Sequence, residues 1–132
     1  MQPVAPGSSI AAVRRARGIA AEALAAEYLA ANGLQLLARN VRCKGGEIDI
    51  VCRDGNILAV VEVRQRARHD FGGPLASVTR AKQRKIICAA RFLLRAFPAW
   101  RSFRMRFDVL ALHGLPDGVH RFEWVKDAFR AS

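Results

Sequence analysis

Two β-patterned runs, GEIDIVCR (Gly46–Arg53) and ILAVVEVR (Ile57–Arg64), flank Asp54-Gly55-Asn56. A glycine in so short a connection is a hairpin signal, because tight hairpin turns need positive φ. The two runs are therefore expected to pair antiparallel. Strand side chains alternate faces. Glu47, Asp49 and Val51 then share one face, and Ile48, Ile50 and Cys52 the other. In the second run Leu58, Val60, Glu62 and Arg64 share a face. A Gly55-Asn56 turn sets Asp49 opposite Glu62. An Asp54-Gly55 turn sets Glu47 opposite Glu62 and leaves Asp49 diagonal to it. Either two-residue turn puts all three acids on one face. A three-residue loop breaks this unless a bulge restores it.

The hairpin sits inside an alternating pattern of elements. Residues 1–9 hold two prolines, a glycine and two serines, and read as a flexible tail ahead of a single domain over 10–132. The alanine-rich segment Ile10–Asn32 reads as a helix, with Gly33 placed to end it. Ala25, Ala26 and Leu29 lie three, four and seven residues after Glu22, on its stripe. So small a face suits close packing on a sheet. A first strand is expected at about Leu34–Val41. A second helix is expected at Thr79–Phe97, capped by Thr79 or Ser77 and stopped by Pro98. A strand follows at Phe103–Leu112, then a turn through Gly114, Pro116, Asp117 and Gly118. The closing HRFEWVKDAF reads as one more strand and a helical turn. The order α-β-β-β-α-β predicts an α/β fold, a mixed sheet flanked by helices.

Composition narrows the function. With 132 residues, 52% of them apolar, the chain can build its own core. No run approaches the roughly 20 apolar residues of a membrane span. The first residues make a poor signal peptide. Three cysteines, Cys43, Cys52 and Cys88, cannot pair completely and show no zinc spacing, so a cytoplasmic protein with reduced thiols is expected. The net charge is +11, and 18 of the 22 basic residues are arginine, whose planar fork suits phosphate. No acid occurs from Phe71 to Phe107, a stretch holding Arg80, Lys82, Arg84, Lys85, Arg91, Arg95, Arg101, Arg104 and Arg106. A nucleic acid is the expected partner, and a membrane is not. The alternative is a merely solvated basic face.

Carboxylates clustered in mid-strand repel one another and call for a cation. Magnesium takes oxygen ligands, commonly one or two carboxylates with waters and a substrate phosphate. Such an ion on Asp49 and Glu62 would activate water against a phosphodiester. The alternative is a surface hairpin whose acids pair with Arg42, Arg64 or Arg66.

Five segments, GIAAEALAAEYLAANG, ARNVRCKGGEIDIVCRDGN, VVEVRQR, FGGPLASVTRAKQRKI and RFDVLAL, occur in this order. Over about residues 18–130 the chain resembles the YraN-like family of small bacterial proteins. That family resembles the PD-(D/E)xK, restriction-endonuclease-like nucleases. The resemblance implies a restriction-endonuclease-like core and hydrolysis of phosphodiesters in DNA, ahead of RNA, including branched or structured forms. It implies Asp49 and Glu62 as ligands of Mg²⁺ or Mn²⁺, with the Val63 carbonyl as a third. Glu22 would support a second metal or a bound water, and Glu47 belongs to the family's GEID signature. Many members of the superfamily cut as homodimers. The family usually has lysine where this chain has Arg64. Arginine stays protonated and is a poor base, though it can stabilise a pentavalent phosphate. Lys82 is one substitute; the other reading has it snorkelling past the core to solvent.

Arg66, Arg80, Lys82, Arg84, Lys85 and Arg91 are the candidate phosphate contacts, with Arg68 beside them. Gln65 is given no role. His69, His113 and His120 are isolated and expected at the surface, and the aromatics are expected in the core. Gly72, Gly73 and Pro74 form a loop that admits substrate or simply turns the chain. Two readings result: a metal-dependent nuclease-like protein, or a catalytically silent nucleic-acid-binding module of the same fold.

Overall fold

A computed structural model describes residues 10–67, 70, 72–114 and 118–131. The 1–9 tail, Arg68, His69 and the Pro116–Asp117 part of the expected turn lie outside them. The elements are α1 (Ile10–Ala31), β1 (Gln35–Cys43), β2 (Gly46–Asp54), β3 (Ile57–Arg66), α2 (Arg80–Ala96), β4 (Arg104–Gly114) and β5 (His120–Phe129). One five-stranded sheet runs β1-β2-β3-β4-β5, all neighbours antiparallel except the parallel pair β3 and β4. That pair needs a crossover, and α2 supplies it. The α/β expectation, a mixed sheet flanked by helices, holds. The closing segment differs: it is strand throughout, with no helical turn, because His120–Val125 and Phe129 pair along β4 across a register shift.

Local chemistry explains the boundaries. Gly33, at φ +89°, ends α1, with Leu34 N–H donating to Leu29 O and Gly33 N–H to Ala30 O. Gly55, at φ +60°, is the first central residue of the β2–β3 turn, the position a type II′ hairpin reserves for glycine. Asp54 pairs with Ile57, so the turn is Gly55-Asn56. The Thr79 hydroxyl accepts Lys82 N–H at 3.1 Å and caps α2. Pro98 follows the helix and opens a 3₁₀ turn.

Two apolar layers hold the sheet. Ile86, Ala89, Ala90 and Leu93 of α2 pack on Val51, Leu58, Val60 and Val109. On the other face, Ala25 and Leu29 of α1 pack on Ile50, Ala59, Val61 and Leu110. The central strand is covered on both faces, which is why its sequence is a nearly continuous apolar run.

One strand departs from regular alternation. Ile48 belongs to the α2-side layer, but Ile50 and Cys52 belong to the α1-side layer. The expectation that these three share a face is corrected. The cause lies across the ladder. Val41 pairs with Ile48 and Arg39 with Ile50, which puts Asn40 beside Asp49, and Asn40 has φ +53°. A left-handed residue, which asparagine tolerates better than most, turns both strands over at this point.

Buried charge fixes the opposite end of the sheet. Asp108 is fully buried and accepts bonds from Arg106 Nε and Nη2, Trp124 Nε1 and Asp127 N–H. Arg106 also reaches Asp54 at 3.0 Å. Arg106 is therefore committed to the fold and drops out of the basic surface.

Candidate nucleic-acid and metal site

The turnover at Asn40 and Asp49 opens a pocket where the sheet loses its regular ladder. The regular β2–β3 register runs from Asp54–Ile57 to Ile50–Val61. One residue beyond it, Asp49 Oδ2 accepts the Val63 backbone N–H at 2.9 Å. A side-chain carboxylate thus binds the neighbouring strand. Asp49 lies within hydrogen-bonding reach of Glu62 on β3 and of Glu22 on α1. The pocket, of about 330 Å³, is lined by Glu22, Glu47, Asp49, Glu62, Arg64 and Lys82, among others.

Each acid has its own environment. Glu62 is only 3% exposed. Burial, and then the adjoining Asp49, push its carboxyl up to about 9, against the pull of Lys82 and Arg64. Glu22 is also raised, first by burial and then by Asp49, while Arg39 and Asn40 lower it. Its Oε2 is buried without a hydrogen-bond partner. Glu47 is half exposed and lies 3.5 Å from Arg42. It lines the pocket without joining the buried acids.

The cations reach in from two directions. Lys82 Nζ lies 3.7 Å from Glu62 Oε2, and Arg64 Nη1 lies 4.0 Å from the same oxygen. Lys82 points into the pocket, so the snorkelling alternative is corrected. It sits in the first turn of α2, where the Thr79 cap holds the helix end against the mouth of the pocket. Arg64 Nε is buried and unpartnered.

A magnesium-type ion fits this donor chemistry. Asp49 and Glu62 provide the one or two carboxylates such an ion takes, leaving positions for waters and a phosphate. Glu22 lines the same pocket and adds a third carboxylate beside Asp49. Among the described residues, no three His, Cys, Asp or Glu side chains form a metal cage by themselves.

The remaining candidates scatter. Arg80, Arg84, Lys85 and Arg91 are exposed along α2. Arg66 donates to Gly72 O at 3.1 Å and lies 3.9 Å from Asp70, so it organises the Gly72–Pro74 loop. His113 faces Glu123 at 3.3 Å, and His120 is exposed. The aromatics mostly pack together, as in the stacked Phe107–Phe129 and Tyr28–Phe122 pairs. A larger cavity, about 490 Å³, lies by Ile57, Arg104, Phe107 and Phe129. Its acid, Asp127, is bonded to Arg130, so it offers no carboxylate cluster. Sequence reasoning missed Asn40. The only available signal was an asparagine inside a strand, which usually marks a turn.

Comparison with known proteins matches most of the sequence. The profile of the uncharacterised protein family UPF0102 matches residues 21–112. The chain is 47% identical over 112 residues to a UPF0102 protein of Pseudomonas putida strain GB-1, covering 85% of this chain and 91% of that one. It is 46% identical over 119 residues to one from Xanthomonas campestris pv. campestris strain B100, covering 90% and 95%. A third, from Dechloromonas aromatica strain RCB, is 47% identical over 116 residues, covering 88% and 90%.

Proposed function

The chain belongs to the uncharacterised protein family UPF0102, and we propose that this member is a metal-dependent, nuclease-like protein that binds DNA and hydrolyses phosphodiesters. The observation that carries the reading is the meeting of Asp49, Glu62 and Lys82 in one pocket at the end of a basic helix. Acids alone would repel a polyanion, and bases alone would merely hold it. Their juxtaposition suits a phosphate that is both bound and attacked.

Asp49 and Glu62 would hold a magnesium or manganese ion, which when bound would supply positive charge to the phosphate and an activated water. Asp49 is kept in place by the Val63 N–H. A cation held there would favour the ionised form of Glu62, since an opposite charge stabilises it. Lys82, reaching the pocket from α2, would substitute for the lysine that the family usually has where this chain has Arg64. From there its ammonium can orient water or move a proton. Arg64 stays charged and stabilises negative charge gathering on phosphate oxygens.

The second reading is a binding module without turnover, and Arg64 in place of the usual lysine favours it. Calorimetric titration of Mg²⁺ and Mn²⁺ into the protein, Asp49→Ala and Glu62→Ala tests the site first. The expected result is saturable binding lost in both variants, then cleavage of linear or branched DNA lost in Asp49→Ala while DNA binding persists. Cleavage that survives Asp49→Ala overturns the nuclease reading. DNA binding with no product under any metal selects the silent module.

A further inference from the structure

The chain has only four lysines among its 22 basic residues. Three of them, Lys44, Lys82 and Lys85, line one cleft of about 340 Å³ together with Arg42. The cleft lies between the β1–β2 turn and α2. It shares Glu47 and Lys82 with the carboxylate pocket, so the two spaces adjoin. Among the described residues its only acid is Glu47, which lies beside Arg42 at 3.5 Å. Among the described residues, no carboxylate lies within 4 Å of the Lys44 or Lys85 ammonium.

The floor of the cleft is built by glycine. A Cβ on Gly46 would stand 2.2 Å from Lys85 O, and one on Gly45 would stand 2.4 Å from Cys88 Sγ. The turn therefore lies directly on the helix, bringing Lys44 and Lys85 to one cleft. Bare glycine backbone also lets a ligand approach the main chain closely. Lysine is a compact charge with three donors on a flexible stem, suited to a phosphate whose orientation varies.

We propose that this cleft seats a backbone phosphate of a nucleic-acid strand, the neighbour of the one placed at the carboxylates. The strand then runs from the pocket of Asp49 and Glu62 over the Gly45-Gly46 turn, with Lys82 touching both phosphates. This rests on the nucleic-acid reading above and adds the direction in which the strand leaves the site.

The test is binding of a short fluorescein-labelled single-stranded DNA, measured by anisotropy over a salt series. The double variant Lys44→Ala/Lys85→Ala is expected to make the slope of log K against log salt shallower by about 0.7, the value for one lost phosphate contact on a single strand. Lys44→Arg/Lys85→Arg is expected to keep the original slope. The unaltered protein gives a second readout. Neutral methylphosphonate linkages are scanned along the strand, and one at the cleft position is expected to weaken binding in the wild type but not in the alanine variant. Wild-type binding with an unchanged slope and no sensitive linkage overturns the cleft and leaves the nucleic-acid reading standing. A shallower slope without strand cleavage by the wild type supports the cleft and removes the nuclease. No binding by the wild type at low salt overturns both.

Discussion

Asp49 Oδ2 accepts the Val63 backbone N–H at 2.9 Å, one residue beyond the end of the regular β2–β3 ladder. The carboxylate therefore has a structural task beside its chemical one, and the two can be separated. Asp49→Ala removes the acceptor and leaves a part-buried N–H unpaired, a loss of about 1–3 kcal/mol. Asp49→Asn keeps an oxygen there and removes the charge that opposes ionisation of Glu62. Urea denaturation is expected to place Asn above Ala in stability, while calorimetry finds metal binding lost in both.

Glu62 predicts a pH dependence of stability. Its folded carboxyl is raised to about 9 from an ordinary 4.5, so the folded state binds the extra proton between those values. Where the folded state holds more protons, stability falls as pH rises. Metal-free protein is expected to lose stability from about pH 4.5 to 9, with a slope of at most about 1.4 kcal/mol per pH unit from this group. Glu22 is shifted the same way and adds the same sign. Glu62→Gln should flatten the profile in thermal melts across that window. Magnesium should stabilise the wild type most at its alkaline end.

Lys82 separates catalysis from binding. Its ammonium is 3.7 Å from Glu62 and lies at the pocket mouth. Lys82→Ala is expected to slow single-turnover DNA cleavage by about 10²–10⁴-fold, the usual weight of a positioned acid or base. Metal binding should persist, since neither carboxylate is removed. An unchanged cleavage rate would reassign Lys82 to simple charge balance.

The Asp108–Arg106 pair predicts a structural effect remote from the site. Asp108 is fully buried and supports Arg106, Trp124 and the Asp127 backbone together. Asp108→Ala leaves Arg106 partly buried without its nearest partner, with an expected loss of about 3–5 kcal/mol in urea denaturation. DNA affinity of the protein that remains folded should not change.

Gly46→Ala tests the seating of the β1–β2 turn. Its Cβ would meet the Lys85 carbonyl, a backbone atom that moves only with the helix. Overpacking of this kind costs about 1–3 kcal/mol. Thermal melts should show that loss, and amide exchange should rise in the turn and the facing part of α2.

Much of the fold was legible because it rests on local physics. Short apolar runs bounded by turn residues mark β2 and β3, positive φ explains Gly55, and the Thr79 cap and Pro98 bound α2. The strand character of the whole of His120–Phe129 was less legible, because it depends on pairing with β4. The acids were legible as candidates, but not their grouping. Regular alternation put Glu47 with Asp49 and Glu62, whereas Glu47 lies out beside Arg42 and Glu22 comes in from α1.

The sequence by itself determined the hairpin, the two helices, the excess of arginine and the presence of acids beside a basic segment. Each follows from spacing along the chain or from composition. The tertiary structure decided which groups meet. Asn40 in a left-handed conformation turns β1 and β2 over, an event that depends on two strands and is encoded in neither alone. That turnover brings Asp49 to Val63 and Glu22, and the crossover through α2 brings Lys82 to Glu62. Contacts between residues far apart in the chain depend on packing, and no periodicity within one segment carries that information.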